Sequence, residues 1–411
     1  MKRSKTSDPA APKAPIPRGF WVLLTTLVID MIGFGIVIPV QPFWAKHFDA
    51  SPLLIGLIGG SFSFAQFLLA PVWGRISDRV GRRPVLLISL TGTAIGFFIT
   101  GSASSLWMLF AGRLIDGASG ATIGVTQAAV SDLASPRERP RLMGLMGAAF
   151  GIGFVLGPAI GGVLAHVSYR LPFFVAGTAA VINLIATYIR LPETKTTTAP
   201  PRANLMKVWR IPNVSRLAVV VFISVASFSA FENTFGLFGE RRLHLGPLGV
   251  GMWLAFVGIL LVVVQGGLIR PLSHKYEVST LLRSGLLLTA AGLVVFGFTY
   301  GSGLMIVATV LISCGQGVYG PSISSTSAAI APADRRGEVM GATQSVSSIA
   351  RIVGPATGGF LFGHVSIGSP YFVGAAGLVV ALVCIAGLRT SEHSASEKTP
   401  ADESPNVVTH G

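Results

Sequence analysis

The sequence predicts an all-α membrane protein, with twelve transmembrane helices arranged as two pseudo-symmetric six-helix halves, and three observations carry that prediction. First, 51% of the 411 residues are hydrophobic and only 12% are charged, whereas a soluble domain carries about 25% charged residues. Mean hydropathy is accordingly high, at +0.67. Second, apolar stretches of about 20 residues, the length of one bilayer crossing, recur along the whole chain. Third, the second half of the chain repeats landmarks of the first. The 50 Gly and 25 Pro are spread through the apolar stretches rather than gathered in linkers, as suits helices that approach closely or bend in lipid.

Crossings are expected near 18–42, 53–73, 84–103, 107–131, 143–165, 171–190, 215–238, 248–270, 280–300, 304–330, 339–362 and 369–389. The first contains Asp30 and is longer than the apolar core of a signal peptide, about 7 to 15 residues, so it reads as a crossing. A Thr-, Pro- and base-rich stretch at 191–214, opening Leu-Pro-Glu-Thr-Lys, divides the crossings six and six. The expected organisation is a cytoplasmic tail at 1–17, an N-terminal half at 18–190, a cytoplasmic linker at 191–214, a C-terminal half at 215–389 and a disordered cytoplasmic tail at 390–411. Cys314 and Cys384 lie in separate apolar segments and offer neither metal-ligand spacing nor a disulfide framework.

A net charge of +14 would in isolation suggest a nucleic-acid partner, but the basic residues fall in alternate loops. One side holds Lys2, Arg3, Lys5, Lys13 and Arg18, then Arg75, Arg79, Arg82 and Arg83, then Arg137, Arg139 and Arg141. It continues with Arg190, Lys195, Arg202, Lys207, Arg210 and Arg216, then Arg270, Lys275, Arg283, Arg335, Arg336, Arg389 and Lys398. The other side holds only Lys46, Arg170, Arg241 and Arg242, with Arg113 and Arg351 inside crossings. The positive-inside rule then places both termini in the cytoplasm of a multi-pass protein of the bacterial inner membrane, with lipid rather than nucleic acid as its partner.

The internal repeat is specific. Met143-Gly144, Gly157-Pro158 and Gly161-Gly162 recur as Met340-Gly341, Gly354-Pro355 and Gly358-Gly359, an offset of 197 residues. His166-Val167-Ser168 recurs as His364-Val365-Ser366 one residue further out. Two parallel six-helix halves around a central cavity follow.

The segment Gly74-Arg-Ile-Ser-Asp78-Arg79-Val-Gly81-Arg82-Arg83 joins the second and third crossings. Glycines permit tight turning, and a carboxylate suits the positive N-terminus of a helix. This segment resembles the loop motif of the major facilitator superfamily, and the chain as a whole most resembles its twelve-helix drug:proton antiporters, which include tetracycline and multidrug exporters. The resemblance implies the major facilitator fold, with Asp78 as a latch that docks on the start of the eleventh crossing in the outward-facing state. Asp132, at the end of the fourth crossing, is either a partner for the loop arginines or a solvated helix end. The equivalent loop of the second half, Arg270-Pro-Leu-Ser-His274-Lys275-Tyr-Glu277, lacks the Asp and Gly positions, so latch control is expected to be one-sided.

On the fifth crossing, Gly153, Gly157, Pro158, Gly161 and Gly162 resemble the motif that marks antiporters in this superfamily. Their own chemistry gives close backbone packing and a bend at Pro158. On the first crossing, Asp30 lies in a segment, Asp30-Met-Ile-Gly33-Phe-Gly35-Ile-Val-Ile-Pro39-Val-Gln41-Pro42, that resembles the first-helix motif of the same branch. An intramembrane carboxylate costs several kcal/mol unless neutral, paired or beside water. Arg113 and Asp116, with Gly120, Gly124 and Gln127 continuing at helical spacing, resemble the fourth-helix motif, in which the Arg is linked to proton transfer. By residue chemistry Asp116 is equally half of a structural ion pair holding helices together, whereas Arg113 reads as functional. Their repeat equivalents, Val310 and Ser313, are uncharged.

In the C-terminal half, Glu232 is the one carboxylate deep in a crossing and is flanked by Asn233. A carboxyl lining a cavity can load and release a proton or bind a cationic substrate; the bland alternative is a structural group. Arg351 either neutralises Glu232 or attracts an anionic substrate. Gln316 and Tyr319, with Ser313, Gly317, Gly320, Ser324 and Ser327, read as cavity lining on the tenth crossing. No Walker loop, zinc-ligand cluster or nucleophilic triad appears, so no enzyme activity and no cofactor are expected, and the free energy is assigned to a proton gradient. The expected activity is proton-coupled export of small amphipathic molecules or drugs, by a protein that family resemblance implies to be a monomer. Export of an endogenous metabolite such as a sugar, siderophore or amino-acid derivative, or a non-transporting receptor on the same fold, are the competing readings.

Overall fold

A computed structural model describes residues 18–135, 138–194, 208–332 and 335–386. The expected 1–17 and 390–411 tails and most of the expected linker lie outside these residues.

The first half comprises α1 (Arg18–Lys46), α2 (Pro52–Val80), α3 (Arg82–Gly101), α4 (Leu106–Ala118), α5 (Thr122–Leu133), α6 (Arg139–Val167) and α7 (Leu171–Arg190). The second comprises α8 (Val214–Leu243), α9 (Pro247–Val263), a π-helical turn (Val264–Leu268), α10 (Ile269–Lys275), α11 (Val278–Gly297), α12 (Ser302–Ile330), α13 (Arg336–His364) and α14 (Ser369–Ala386). Among the described residues, ten helices are long and apolar enough to span a bilayer. The remaining two of the twelve crossings fail for different reasons. The fourth is split into α4 and α5, of 13 and 12 residues. The eleventh, α13, has 29 residues but is diluted by Gln344, Ser345, Ser347, Ser348 and Arg351.

The repeat seen in sequence is a repeat of packing. In the first half α1 packs on α6 and α7, α3 on α4 and α7, and α2 on α4. In the second, α8 packs on α13 and α14, α11 on α12 and α14, and α9 on α12. The two principal contacts between halves, α2 with α13 and α6 with α9, exchange with one another under the same relation. Two six-helix bundles related by an axis along the membrane normal is the result.

Basic side chains gather at one end of the bundle, called here the basic face. The halves are joined at the other end. One apolar cluster, with Val37, Val40, Phe43, Ile55, Phe231, Phe235, Leu254 and Phe362 among its buried members, draws on both halves near the opposite face. Nearer the basic face each cluster stays within one half, as with Phe20, Leu23, Val125 and Leu142 or Val208, Val214 and Val339. The same asymmetry shows in the glycines. A side chain on Gly162 would meet Gly251 Cα at 3.1 Å, and one on Gly60 would meet the Ile352 carbonyl at 2.9 Å, both across the half interface. Gly144, Gly147, Gly266 and Gly320, toward the basic face, have nothing within 4 Å. The molecule is closed at the opposite face and open at the basic face.

The structure corrects the expected latch loop between the second and third crossings. Residues 74–80 are the last turns of α2 and Arg82 begins α3, so the connection is Gly81 alone. Its φ of 117° and ψ of 165° lie in a region that only glycine occupies readily, and its N–H still closes α2 on the Ser77 carbonyl at 3.1 Å.

Candidate functional site

Between the halves lies a chamber of about 1040 Å³, of the size that holds a drug-like molecule. Its walls are α1 to α6 on one side and α8, α9, the π-helical turn, α12 and α13 on the other, and Phe34, Phe62, Phe97, Phe150, Phe154 and Phe228 set phenyl rings into them. Set among these are Asp30, Arg113, Asp116, Glu232, Asn233, Gln316 and Arg351, seven of the eight residues expected in a coupling site or cavity.

Gln127 is exposed and does not line the chamber; of the other residues read as lining on the tenth crossing, Tyr319, Gly320 and Ser324 line it, whereas Ser313, Gly317 and Ser327 are buried in helix packing away from it. The placement of Gln127 assumed one unbroken helical face from Arg113 onward. The helix is interrupted between Ala118 and Thr122, yet Ile123 and Gln127 still share a face of α5 four residues apart; α5 reaches the chamber at Ile123, and Gln127 lies one turn beyond the lining. The interruption leaves carbonyls that lipid cannot satisfy, and neighbouring crossings supply the donors. Trp73 Nε1 donates to the Ala118 carbonyl at 2.6 Å, Ser89 Oγ donates to Ser119 O, and Gln66 Nε2 donates to Gly120 O at 3.2 Å. None of these three was identified from sequence; Gln66 alone carried a signal, as a polar group in helical register with Gly59, Phe62 and Ser63 on an apolar crossing.

The charged groups are handled differently in the two halves. Arg113 Nη1 donates to Asp116 Oδ2 at 2.9 Å, with both residues buried at 5% and 6% exposure. The Arg113 guanidinium also lies 4.5 Å from the centre of the Phe62 ring, an attractive arrangement for a cation. Asp30, on the facing helix, is electrostatically coupled to Asp116. In the second half Glu232 feels the charge of Arg351, but no ion pair or hydrogen bond joins them. Gln316 accepts from the Tyr319 hydroxyl, and Asn233 Nδ2 donates to the Ser229 carbonyl at 3.4 Å while its amide packs against Gly59 across the half interface.

The glycine motif of α6 has two faces. Gly153, Gly157 and Gly161 press on Met31, Gly35 and Ile36 of α1 within the half, whereas Pro158 and Gly162 meet Gly251 of α9 in the other half. The latch residues form a network on the basic face. Arg82 Nη1 donates to Asp78 Oδ1 at 2.6 Å, and Arg82 Nε donates to Asp132 Oδ2 at 3.0 Å. Asp78 is thus bonded within its own half rather than at the start of α13, where Arg335 instead pairs with Glu338 at 2.7 Å. With the halves apart at this face, the docking implied by the family for the outward-facing state has no surface to form on. The Glu193 carboxylate caps α3, accepting from the Arg82 and Arg83 backbone N–H groups at 2.8 and 3.3 Å, and packs over Gly81. Gly74 has open space beside it, and Arg83 donates to the Tyr188 carbonyl at 2.6 Å. Arg79 is the next residue along α2 from Asp78. On the opposite face, Lys46 Nζ and Glu240 Oε1 are 2.6 Å apart and join α1 to α8, a link between halves that sequence did not announce.

The family model described as Major Facilitator Superfamily matches residues 23–355 and 267–410. The tetracycline resistance protein, class C, of Escherichia coli is 31% identical over 392 residues, which cover 92% of this chain and 98% of that protein. Multidrug resistance protein 1 of Bacillus subtilis (strain 168) is 27% identical over 378 residues, covering 90% and 96%. Among solved structures, a human organic anion transporter superposes with a TM-score of 0.70 at 24% identity, covering 91% of this chain and 100% of that one. A bacterial homologue of the lysosomal transporter Spinster, in an inward-facing and occupied conformation, superposes with a TM-score of 0.74 at 16% identity, covering 89% and 94%. Paired bundles, a midplane chamber charged on both walls and a full-length sequence match agree: the chain is a multi-pass membrane protein of the major facilitator superfamily.

Proposed function

We propose that this protein is a proton-coupled antiporter of the bacterial inner membrane that exports small amphipathic molecules or drugs by alternating access. The observation that carries the reading is the chamber itself: mainly apolar with phenyl rings set into its walls, open at the basic face, shut at the other, and holding the carboxyls of Asp30 and Glu232 without an ion pair among the described residues. The positive-inside rule puts the basic face, and with it both termini, in the cytoplasm, so the described conformation is inward-facing. The resistance names of the relatives favour drugs over an endogenous metabolite.

In this mechanism cargo enters from the cytoplasm and settles between the two charged walls. Rocking of the halves closes the basic face and parts the glycine seams at the other. A proton arriving from outside then binds a chamber carboxyl, competes with the cargo for that site and favours the return. The proton gradient supplies the free energy, no cofactor takes part, and one chain is the working unit.

Purified protein in liposomes should accumulate or expel tetracycline or a fluorescent amphipathic drug in response to a pH gradient, and a protonophore should abolish that movement. Asp30→Asn and Glu232→Gln should each uncouple flux from the gradient. Full gradient-driven transport by both variants would refute the proposal.

A further inference from the structure

The two halves differ in whether their intramembrane charges are satisfied. Arg113 and Asp116 bond each other, and Phe62 covers the guanidinium. Glu232 on α8 and Arg351 on α13 sit on helices held in tight contact, because Gly354, one turn beyond Arg351, packs on Ala226 and on Ser229, which lies one turn before Glu232. Both side chains line the chamber, and the Arg351 charge acts on Glu232 electrostatically. Yet among the described residues neither is bonded to the other or to any other side chain. A carboxylate with four lone-pair sites and a guanidinium with five N–H donors are both left free to bind a ligand.

We propose that Glu232 and Arg351 form a dipolar docking subsite for zwitterionic amphipathic molecules, with the cargo's cationic end on Glu232 and its carboxylate on Arg351. Charge in mid-membrane is costly unless paired. A cation alone would satisfy Glu232 and leave Arg351 bare, and an anion alone would do the reverse. A molecule carrying both charges on a short spacer satisfies both and adds no net charge to the chamber. Phe228, one turn before Glu232 and also in the chamber wall, supplies an aromatic surface beside the cationic end. Asp30 belongs to the other wall, on α1, and is not part of the subsite.

This inference rests on the export reading only for the subsite being a cargo site, and binding tests it without transport. Rhodamine B and its ethyl ester share a ring system and a cationic charge and differ in the free carboxylate. Fluorescence polarisation on the full chain in nanodiscs should show about tenfold tighter binding of the zwitterion than of the ester, the worth of one charge-assisted bond. Arg351→Gln should erase that preference while leaving ester binding equal or tighter, Arg351→Lys should restore part of it, and Glu232→Gln should weaken both dyes. Equal affinity of the unaltered protein for both dyes, no binding of the zwitterion, or an Arg351→Gln variant that weakens both dyes alike would overturn the proposal. The same preparations assayed for gradient-driven export separate the two readings: selective binding without coupled flux sinks export alone, and coupled flux without selectivity sinks the subsite alone.

Discussion

Arg113 has one bonded edge, one covered face and one orphan. Its Nη1 meets Asp116 and its plane lies near Phe62, but its Nε is buried without a partner. A planar fork is needed for this arrangement, and an ammonium cannot reproduce it. Arg113→Lys should therefore lower gradient-driven export by about tenfold or more while the protein still folds, as checked by vesicle flux beside a melting curve. Gly81 makes a separate demand. Its φ of 117° excludes other residues, and a Cβ there would strike the Glu193 carboxylate that caps α3. Gly81→Ala should cost about 1–3 kcal/mol, read as a lowered melting temperature in detergent.

At the scale of single helices, the break in the fourth crossing depends on donors from the second and third. Trp73→Phe keeps the ring and deletes the N–H, so the Ala118 carbonyl loses its partner at an expected cost of about 1–3 kcal/mol. The measurement is thermal unfolding, with export assayed in parallel because the break sits directly after Asp116. The seam between α1 and α6 is less forgiving. A Cβ on Gly157 would lie 2.6 Å from Gly35 Cα, so Gly157→Val should destabilise by about 1–3 kcal/mol through overpacking, again seen in the melt.

These helices also show which parts of the site the sequence reveals. Asp30, Arg113, Asp116, Glu232 and Arg351 are legible because a charge stands out in an apolar stretch. Gln66, Trp73 and Ser89 are not, because their role exists only once Gly117-Ala118-Ser119-Gly120 interrupts its helix, and the equivalent Cys314-Gly315-Gln316-Gly317 runs on unbroken in α12. Helix ends are extended beyond their apolar cores, so α2 carries Gly74, Asp78 and Arg79, and α3 carries Arg82 and Arg83, which hydropathy alone assigns to a loop.

For the whole molecule, the question is what holds the described conformation. Lys46 and Glu240 clasp the halves at the opposite face, but they are 49% and 31% exposed, and such a pair contributes about 0.2–1 kcal/mol. That is enough to bias the equilibrium between inward and outward states several-fold and too little to lock it. Lys46→Glu should shift the population outward, by double electron–electron resonance between labels on the two halves, and the swapped pair Lys46→Glu with Glu240→Lys should return it. An unchanged distance distribution in Lys46→Glu would leave the clasp without a role.

The seams at the opposite face consist of backbone meeting backbone: Gly162 on Pro247 and Gly251, Gly251 on Pro158, Gly359 on Pro52. A contact made by the absence of side chains offers mutation a single direction, toward bulk, and no graded series of alternatives. Selection for a new cargo therefore has to act on the chamber walls. In a population adapting under drug pressure, changes should accumulate at positions such as Phe228, Asn233 and Gln316, while these glycines and prolines stay fixed.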